Sequence, residues 1–458
     1  MKKIIDEIKR FAIKNCNNVY AVGGYIRDKL INNKNKYEDI DIIYDGNIEN
    51  LINYLKVKKY KVICINKNIK IYRVYNDGIV LDICSLKGDS LKQDLEKRDY
   101  TINAIALDLC SNKIVDPFQG RKHILNRTIH YVNKDSIKED RVRILRGVRL
   151  AIKYDMHFSV DTEVCIRTEA KFISNCTKER IFDELMKIIK ADTFGNAFEM
   201  LDTYGILKDL LPYIEQLKTI GKCKYHIEDV FTHMNTTYKV FKDLSNFKFN
   251  LKGLNYDKFN IQIGNYKLQD YLAFSAFVHD IGKYECYKKQ GKKVSFINHD
   301  KVGSMIMNSF CKFWRFPRDA KNIVVKVVEG HMYPLILFKN NVKNYRDSFY
   351  KFFVKYDKFV TYILTISFCD VYATELFLDM NNEKEKYKEY IEKIFKEYEI
   401  YKNIKDNRLL KGNEVIQLIG KEGRIVSEIL DEIDYLRYKG RITTAQEAID
   451  FIMKTYIT

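Results

Sequence analysis

The chain has 458 residues, 46% of them hydrophobic and 13% aromatic, and a formal net charge of +18. That length predicts two to four domains with real cores, and no low-complexity tract, repeat or Gly/Ser-rich linker interrupts them. Ten cysteines without a CxxC pair, a charged amphipathic N-terminus and no apolar run near ~18 residues exclude a disulfide-built secreted protein and a membrane-spanning one, so a cytoplasmic protein with reduced thiols is expected. Positive charge spread along the whole chain favours a polyanionic partner, although a lysine-rich solvated surface has the same composition.

In chain order, the first predicted strand is "NNVYAV". Gly23 and Gly24 end it, and "YIRDKLI" follows with helical spacing. Glycines at such a junction let backbone N–H groups approach a phosphate, and Arg27 lies one turn further on. A tight turn is the plainer reading of the same residues. "DIDII" reads as a second strand, with Asp39 and Asp41 on one face and Ile40 and Ile42 on the other. Neighbouring carboxylates repel unless a cation neutralises them, and an all-oxygen pair suits Mg²⁺ carrying phosphate oxygens. "GIVLDICSL" is a third strand-like run, with Asp82 among apolar neighbours. Asp82 is either a third acid for the pair or a strand-end aspartate facing solvent.

"KRDYTINAIALDL" places Arg98, Asp99 and Asn103 at the start of an apolar segment, a capped helix or a strand entry. Arg98 is a candidate for triphosphate or sugar, and Asn103 for a ribose or backbone group. "KEDRVRILRGVRLAIKY" is predicted to be helical, with Glu139 and Asp140 near its start. Asp140, Arg143, Arg146 and Arg149 recur every third residue and share a face. Without further context this is a salt-bridged helix with a basic stripe.

"GGYIRD", "DID", "RDYTINA" and "EDRVRILRGVRLA" stand in the order and spacing of the class II tRNA nucleotidyltransferases. The chain resembles these CCA-adding enzymes, which share a family with bacterial poly(A) polymerases. The resemblance implies transfer of CMP or AMP from CTP or ATP to the tRNA 3′ end, with release of pyrophosphate. Asp39 and Asp41 would then hold Mg²⁺, with Asp82 beside them. Gly23, Gly24, Arg27, Arg98, Asp99 and Asn103 would form the nucleotide site. Asp140 and Arg143 would read the base, because a carboxylate accepts from the exocyclic amino group that cytosine and adenine share. Arg146 and Arg149 would neutralise phosphate or the tRNA end. The bridge "CSLKGDSLKQDLEK" is short, as in the CC-adding members, so the resemblance leaves CCA and CC addition both open. A poly(A) polymerase is the alternative within the same family.

"TKERIFDELMKII" resembles the family's segment after the neck, with a structural role. Between "YHIEDVFTHMNTTYKVF" and "SFCDVYATELF", His233, the adjacent His279 and Asp280, His299, His331 and Asp370 follow one another. Five of the chain's eight histidines fall in this stretch. The pattern resembles HD-type metal phosphohydrolases, which implies a transition metal on His233, His279, Asp280 and Asp370; an HD phosphohydrolase acting on RNA 3′ ends is the alternative function. The final segment, from "LLKGNEVIQLIG", resembles the family's tail and implies help in seating tRNA. The expected organisation is α+β: a nucleotidyltransferase head with a small mixed sheet (1–125), a neck (126–195), a helical body with the HD domain (196–385) and a helical tail (386–458). The partners expected are the tRNA 3′ end, CTP and ATP, with no membrane; no protein partner is legible.

Overall fold

The computed structural model describes residues 2–31, 39–76, 79–221, 228–291, 293–340, 345–378 and 382–457. The chain divides into two compact units, Met1–Asp192 with Glu199–Leu210, and Thr193–Phe198 with Leu211–Thr458. The architecture is α+β, as expected, with the large sheet confined to the first unit.

That sheet has seven strands: β1 (Asn18–Val22), β2 (Asp39–Asp45), β3 (Lys61–Asn66), β4 (Ile71–Asn76), β5 (Ile79–Ser85), β6 (Ala106–Asp108) and β7 (Ile114–Val115). Their order is β3-β4-β5-β2-β1-β6-β7. The pair β2–β5 is parallel and its neighbours pair antiparallel, so the sheet is mixed. The alternation read from "DIDII" holds: Ile40 and Ile42 are fully buried while Asp41 is exposed. Helix Lys2–Lys14 buries Ile4, Ile8 and Ala12, one helical stripe. Its Phe11 packs on Tyr44, which shares the Ile40 face of β2, so this helix covers the side away from Asp41. On the Asp41 side, Ile43 packs with Val22, Leu95, Ala104 and Ala106. Burial of Ile43, Val22 and Leu95 contributes roughly 1.5–3 kcal/mol each, which anchors the strand bearing Asp41.

Of two segments with open or helical readings, the first resolves as the strand entry and the second differs from expectation. "RDYTINAIALDL" forms a 3₁₀ turn, Thr101–Asn103, and then enters β6. "KEDRVRILRGVRLAIKY" is not one helix: a short helix ends at Glu139, Asp140 is extended at φ −142°, and the second helix, which carries Arg143, Arg146 and Arg149, runs Val142–Tyr154. The extended Asp140 backbone turns its carboxylate toward Arg180, which meets it at 2.7 Å from helix Lys178–Ala191.

The second unit is largely helical. Helices Val230–Ser245, Leu268–Val278, His299–Phe313, Arg318–Gly330 and Val360–Leu378 pack around buried Tyr238, Phe241, Phe274, Val327 and Ile366. Three C-terminal helices, Gly412–Ile419, Arg424–Tyr438 and Ala445–Tyr456, close on their own cluster of Val415, Ile429, Ile433, Ala448 and Ile452. Among the described residues no helix is long and apolar enough to cross a membrane.

Candidate functional site

The first site grows from the glycine turn. Gly23 has φ +72°, which glycine adopts without a Cβ penalty. A methyl group there would lie 3.1 Å from both Asp41 Oδ2 and Arg98 Nη1. One glycine thus brings a carboxylate of β2 and a guanidinium from the segment after helix Leu91–Glu96 to the end of β1. Across the parallel pair, Asp41 faces Asp82 in register. Asp39 lies two residues earlier on β2, on the same face by strand period, and its side chain lies outside the described residues.

Asp82 is not a bare acid. Arg73, opposite it on β4, donates through Nε and Nη2 to its two oxygens at 2.8 and 2.7 Å. Cys84 lies on the same face, and burial, with Asp94 adding, pushes its thiol up to about 11, so it is not a nucleophile at neutral pH. A cleft of about 320 Å³ opens here, lined in part by Asp41, Asp82, Arg98, Asn103, Arg143 and Arg146.

The wall of the cleft is helix Val142–Tyr154. Gly147 lets it approach Tyr100, whose Oη would lie 2.2 Å from a Cβ at that position. Tyr100 Oη donates to Arg143 O at 2.8 Å. Arg143 turns back to donate to the carbonyls of Lys97 (2.9 Å) and Arg98 (3.4 Å), with Asp140 3.9 Å away. Arg146 Nε meets Asp99 Oδ2 at 2.8 Å. Asp99 is buried: burial pushes its carboxyl up, but Arg146, the Asn103 amide and the Tyr100 N–H together hold it below the usual carboxylate range. Arg149 donates to Glu184 at 2.8 Å and points at helix Lys178–Ala191. Arg27 is buried, and its nitrogens go to Asp28, Asn103 and Tyr154.

Of the residues singled out in the sequence, Gly23, Asp41, Asp82, Arg98, Asp99, Asn103, Arg143 and Arg146 converge on one cleft or its rim. Gly24 and Arg27 sit just behind it, and Asp140 and Arg149 are engaged by the helix of "TKERIFDEL". Sequence reasoning missed Arg73, Tyr154, Arg180 and Glu184. The last two were inside a recognised motif and carried that signal.

A second cluster lies in the other unit, where helices carry buried His233, His299 and Asp370 and the turns that end two more carry buried His279, Asp280 and His331. His226 lies outside the described residues. His233 Nε2 is 2.8 Å from Asp370, and His279 Nε2 is 3.2 Å from Asp280 Oδ2. His299 and His331 Nε2 are 3.3 Å apart and lie 3.1 and 3.6 Å from Asp280 Oδ1. The Nδ1 atoms of His279, His299 and His331 meet the carbonyls of Ala276, Phe296 and Val328, which accept only. Each Nδ1 therefore carries the proton, and in a neutral ring Nε2 presents its lone pair to the carboxylates. Burial alone would push His279 down, but Asp280 and Asp370 lift it to about 10. Among the described residues, both Asp280 oxygens and His279 Nε2 are buried without an aligned hydrogen bond, although Lys283 Nζ lies 2.5 Å from Asp280 Oδ2. This nitrogen and oxygen donor set fits a divalent transition ion. It forms two groups that share Asp280, one with His233, His279 and Asp370, the other with His299 and His331.

Residues 19–130 match the poly A polymerase head domain, and residues 155–218 match the probable RNA and SrmB-binding site of polymerase A. The multifunctional CCA protein of Pseudoalteromonas atlantica is 28% identical over 337 residues, covering 70% of this chain and 77% of that protein. A CCA-adding enzyme solved with ATP shares the fold at TM-score 0.69 and 20% identity, covering 100% of this chain and 96% of that one. The Thermotoga maritima CCA-adding enzyme complexed with tRNA shares it at TM-score 0.65 and 19% identity, over 99% and 94% of the two chains.

Proposed function

The chain belongs to the class II tRNA nucleotidyltransferase and poly(A) polymerase family, and from that premise we propose that it adds CMP and AMP to the tRNA 3′ end from CTP and ATP. The observation that carries the reading is that Asp41 and Arg98 both reach to Gly23, each 3.1 Å from where a side chain there would begin. A carboxylate for a metal and a guanidinium for phosphate thus both lie against the backbone of a glycine turn.

The family works with a divalent metal, and Asp41, with Asp39 beside it on β2, is the oxygen donor set for Mg²⁺. Mg²⁺, when bound, neutralises charge on the triphosphate and polarises the attacked phosphorus. The chain's own residues supply position. Arg98 and the turn at Gly23–Gly24 seat the phosphates, and Asp99 orients Arg146 over the cleft. Asp140 and Arg143, half-buried at the start of the cleft helix, offer an acceptor and a donor to an incoming base, and a base of the wrong pattern would forgo those hydrogen bonds. Catalysis then rests on alignment and charge, with no covalent intermediate.

The bridge from Cys84 to Lys97 favours arrest at CC as a second reading. Asp94 accepts from Lys87 N at 2.9 Å and Gln93 from Asp89 N at 2.7 Å, so the bridge is tied to its own helix. Extension of a tRNA lacking CCA, with CTP, ATP or both, decides between them at single-nucleotide resolution. Two residues with CTP and a third with ATP establish CCA addition; a stop at CC with both nucleotides establishes the CC enzyme. Long adenosine tails would instead indicate a poly(A) polymerase, and no growth on any tRNA end overturns the proposal.

The buried His/Asp cluster supports a second activity, hydrolysis of phosphate esters on RNA 3′ ends with a transition metal held by His233, His279, Asp280 and Asp370. Hydrolysis of a 3′-phosphorylated RNA that survives Asp41→Asn and is lost in Asp280→Asn would establish it.

A further inference from the structure

The helix that walls the cleft is fastened to the glycine turn by its last residue. Tyr154 Oη donates to Asp28 Oδ1 at 2.6 Å and accepts from Arg27 Nη2 at 2.7 Å. Its ring lies 4.7 Å from the same guanidinium, a cation–π stack. Burial, with Asp28 adding, pushes this phenol up, so it keeps the proton it donates. Arg27 is only 7% exposed, and its other nitrogens are also used: Nε donates to Asp28 Oδ1 at 2.8 Å and Nη1 to Asn103 Oδ1 at 2.5 Å. Asn103 in turn donates to Asp99, which meets Arg146 in the middle of the helix that Tyr154 ends. The circuit closes on itself.

The geometry of Arg27 shows what the circuit is for. A Cβ on Gly24 would lie 3.3 Å from Arg27 Nη2, so the guanidinium packs directly against the backbone of the turn. A buried guanidinium engaged on all three nitrogens is poorly placed to reach out to a ligand, and well placed to prop the turn from behind. We infer that Tyr154 is a positioning residue for the triphosphate: its hydroxyl fixes Arg27, and Arg27 fixes the Gly23–Gly24 turn on which the phosphates rest. The inference depends on the nucleotidyltransferase reading for the identity of the ligand, but its geometry stands without tRNA. Because Arg27 sits behind the turn and away from the base-reading residues, the effect is the same for every nucleotide.

The test is Tyr154→Phe in the full chain, which keeps the ring and its stack and removes only the hydroxyl. Binding of CTP, ATP and inorganic tripolyphosphate with Mg²⁺ is measured by calorimetry, and KM and kcat by tRNA extension. The expected result is a rise of about five-fold in Kd for all three ligands and in KM for both nucleotides, the scale of one hydrogen bond to a charged group. In the same assay kcat stays within about two-fold, and the preference for CTP over UTP is unchanged. Asp28→Asn weakens the same clamp from its other side and gives the same uniform rise should Tyr154→Phe fold poorly. Unchanged tripolyphosphate binding in both variants overturns the inference. A loss confined to one nucleotide overturns it too, since that places the hydroxyl in base selection, as does a fall in kcat alone that follows thermal stability. If the wild-type chain binds CTP and tripolyphosphate but extends no tRNA, the proposed function fails while the binding comparison still decides the role of Tyr154.

Discussion

Arg73 grips both carboxylate oxygens of Asp82, and Asp82 lies directly across the β2–β5 pair from Asp41. The guanidinium cancels the charge of the third acid next to the pair proposed to hold Mg²⁺. Asp82 in this arrangement is a balanced neighbour of the site and a poor metal ligand. Asp41→Asn is therefore expected to lower kcat by about 10²–10³-fold and Asp82→Asn by under about ten-fold. Arg73→Gln exposes an unpaired carboxylate beside Asp41 and is expected to lower the half-saturating Mg²⁺ concentration about two- to five-fold. Equal damage from Asp82→Asn and Asp41→Asn would show that Arg73 must release Asp82 during the reaction.

Arg180 holds Asp140 at 2.7 Å while Arg143 is 3.9 Å from it. An acceptor kept in one orientation discriminates better than one free to rotate. Arg180→Ala is expected to reduce kcat/KM for CTP and ATP about five- to ten-fold and to narrow their advantage over UTP and GTP. Steady-state kinetics with all four nucleotides measure both effects. A uniform loss across the four would assign Arg180 to stability alone.

Gly147→Ala tests the contact between the RD segment and the cleft helix. The new methyl group would fall 2.2 Å from Tyr100 Oη and 2.7 Å from Cζ. Tyr100 is fully buried and cannot swing away into solvent. A destabilisation of about 1–3 kcal/mol is expected, read as a lowered urea midpoint. Tyr100→Phe in the Gly147→Ala background is expected to recover part of it, because the clashing oxygen is gone.

Asp280 belongs to both donor groups of the second cluster. Equilibrium dialysis with Mn²⁺ or Ni²⁺, quantified by elemental analysis, is expected to find metal on the purified chain. Asp280→Asn is expected to abolish its uptake, and His233→Ala to weaken it about 10–100-fold. Tail synthesis on tRNA is expected to continue in Asp280→Asn, since the cleft at Asp41 belongs to the other compact unit. Metal retained by Asp280→Asn would refute the assignment.

Much of the candidate head site was legible because its residues lie close in the chain and obey simple periods. The spacing of Asp39 and Asp41 is a strand period, and β2 has that strand. The two glycines, the strand entry of the RD segment and the arginines at intervals of three were visible for the same reason. What the period could not supply was the break at Asp140. Helical spacing runs through "KEDRVRILRGV", yet an ion pair with Arg180, forty residues later, accompanies an extended backbone there.

The amino-acid sequence by itself determined the α+β head, the helical remainder, the side of β2 that carries the acids and the residue types able to hold metal and phosphate. Those follow from local periodicity and side-chain chemistry. Tertiary structure decided which charges meet. Arg73 reaches Asp82 only once β4 and β5 are in register, and Tyr154 reaches Arg27 only when the cleft helix folds back on the first turn of the head. Histidines and aspartates from five separate helices and the turns at their ends become one buried cluster in the same way. Pairings between distant segments depend on packing and register, which no short stretch of sequence encodes, and in this protein they decide which acids meet an arginine of the chain, as Asp82 meets Arg73 and Asp99 meets Arg146.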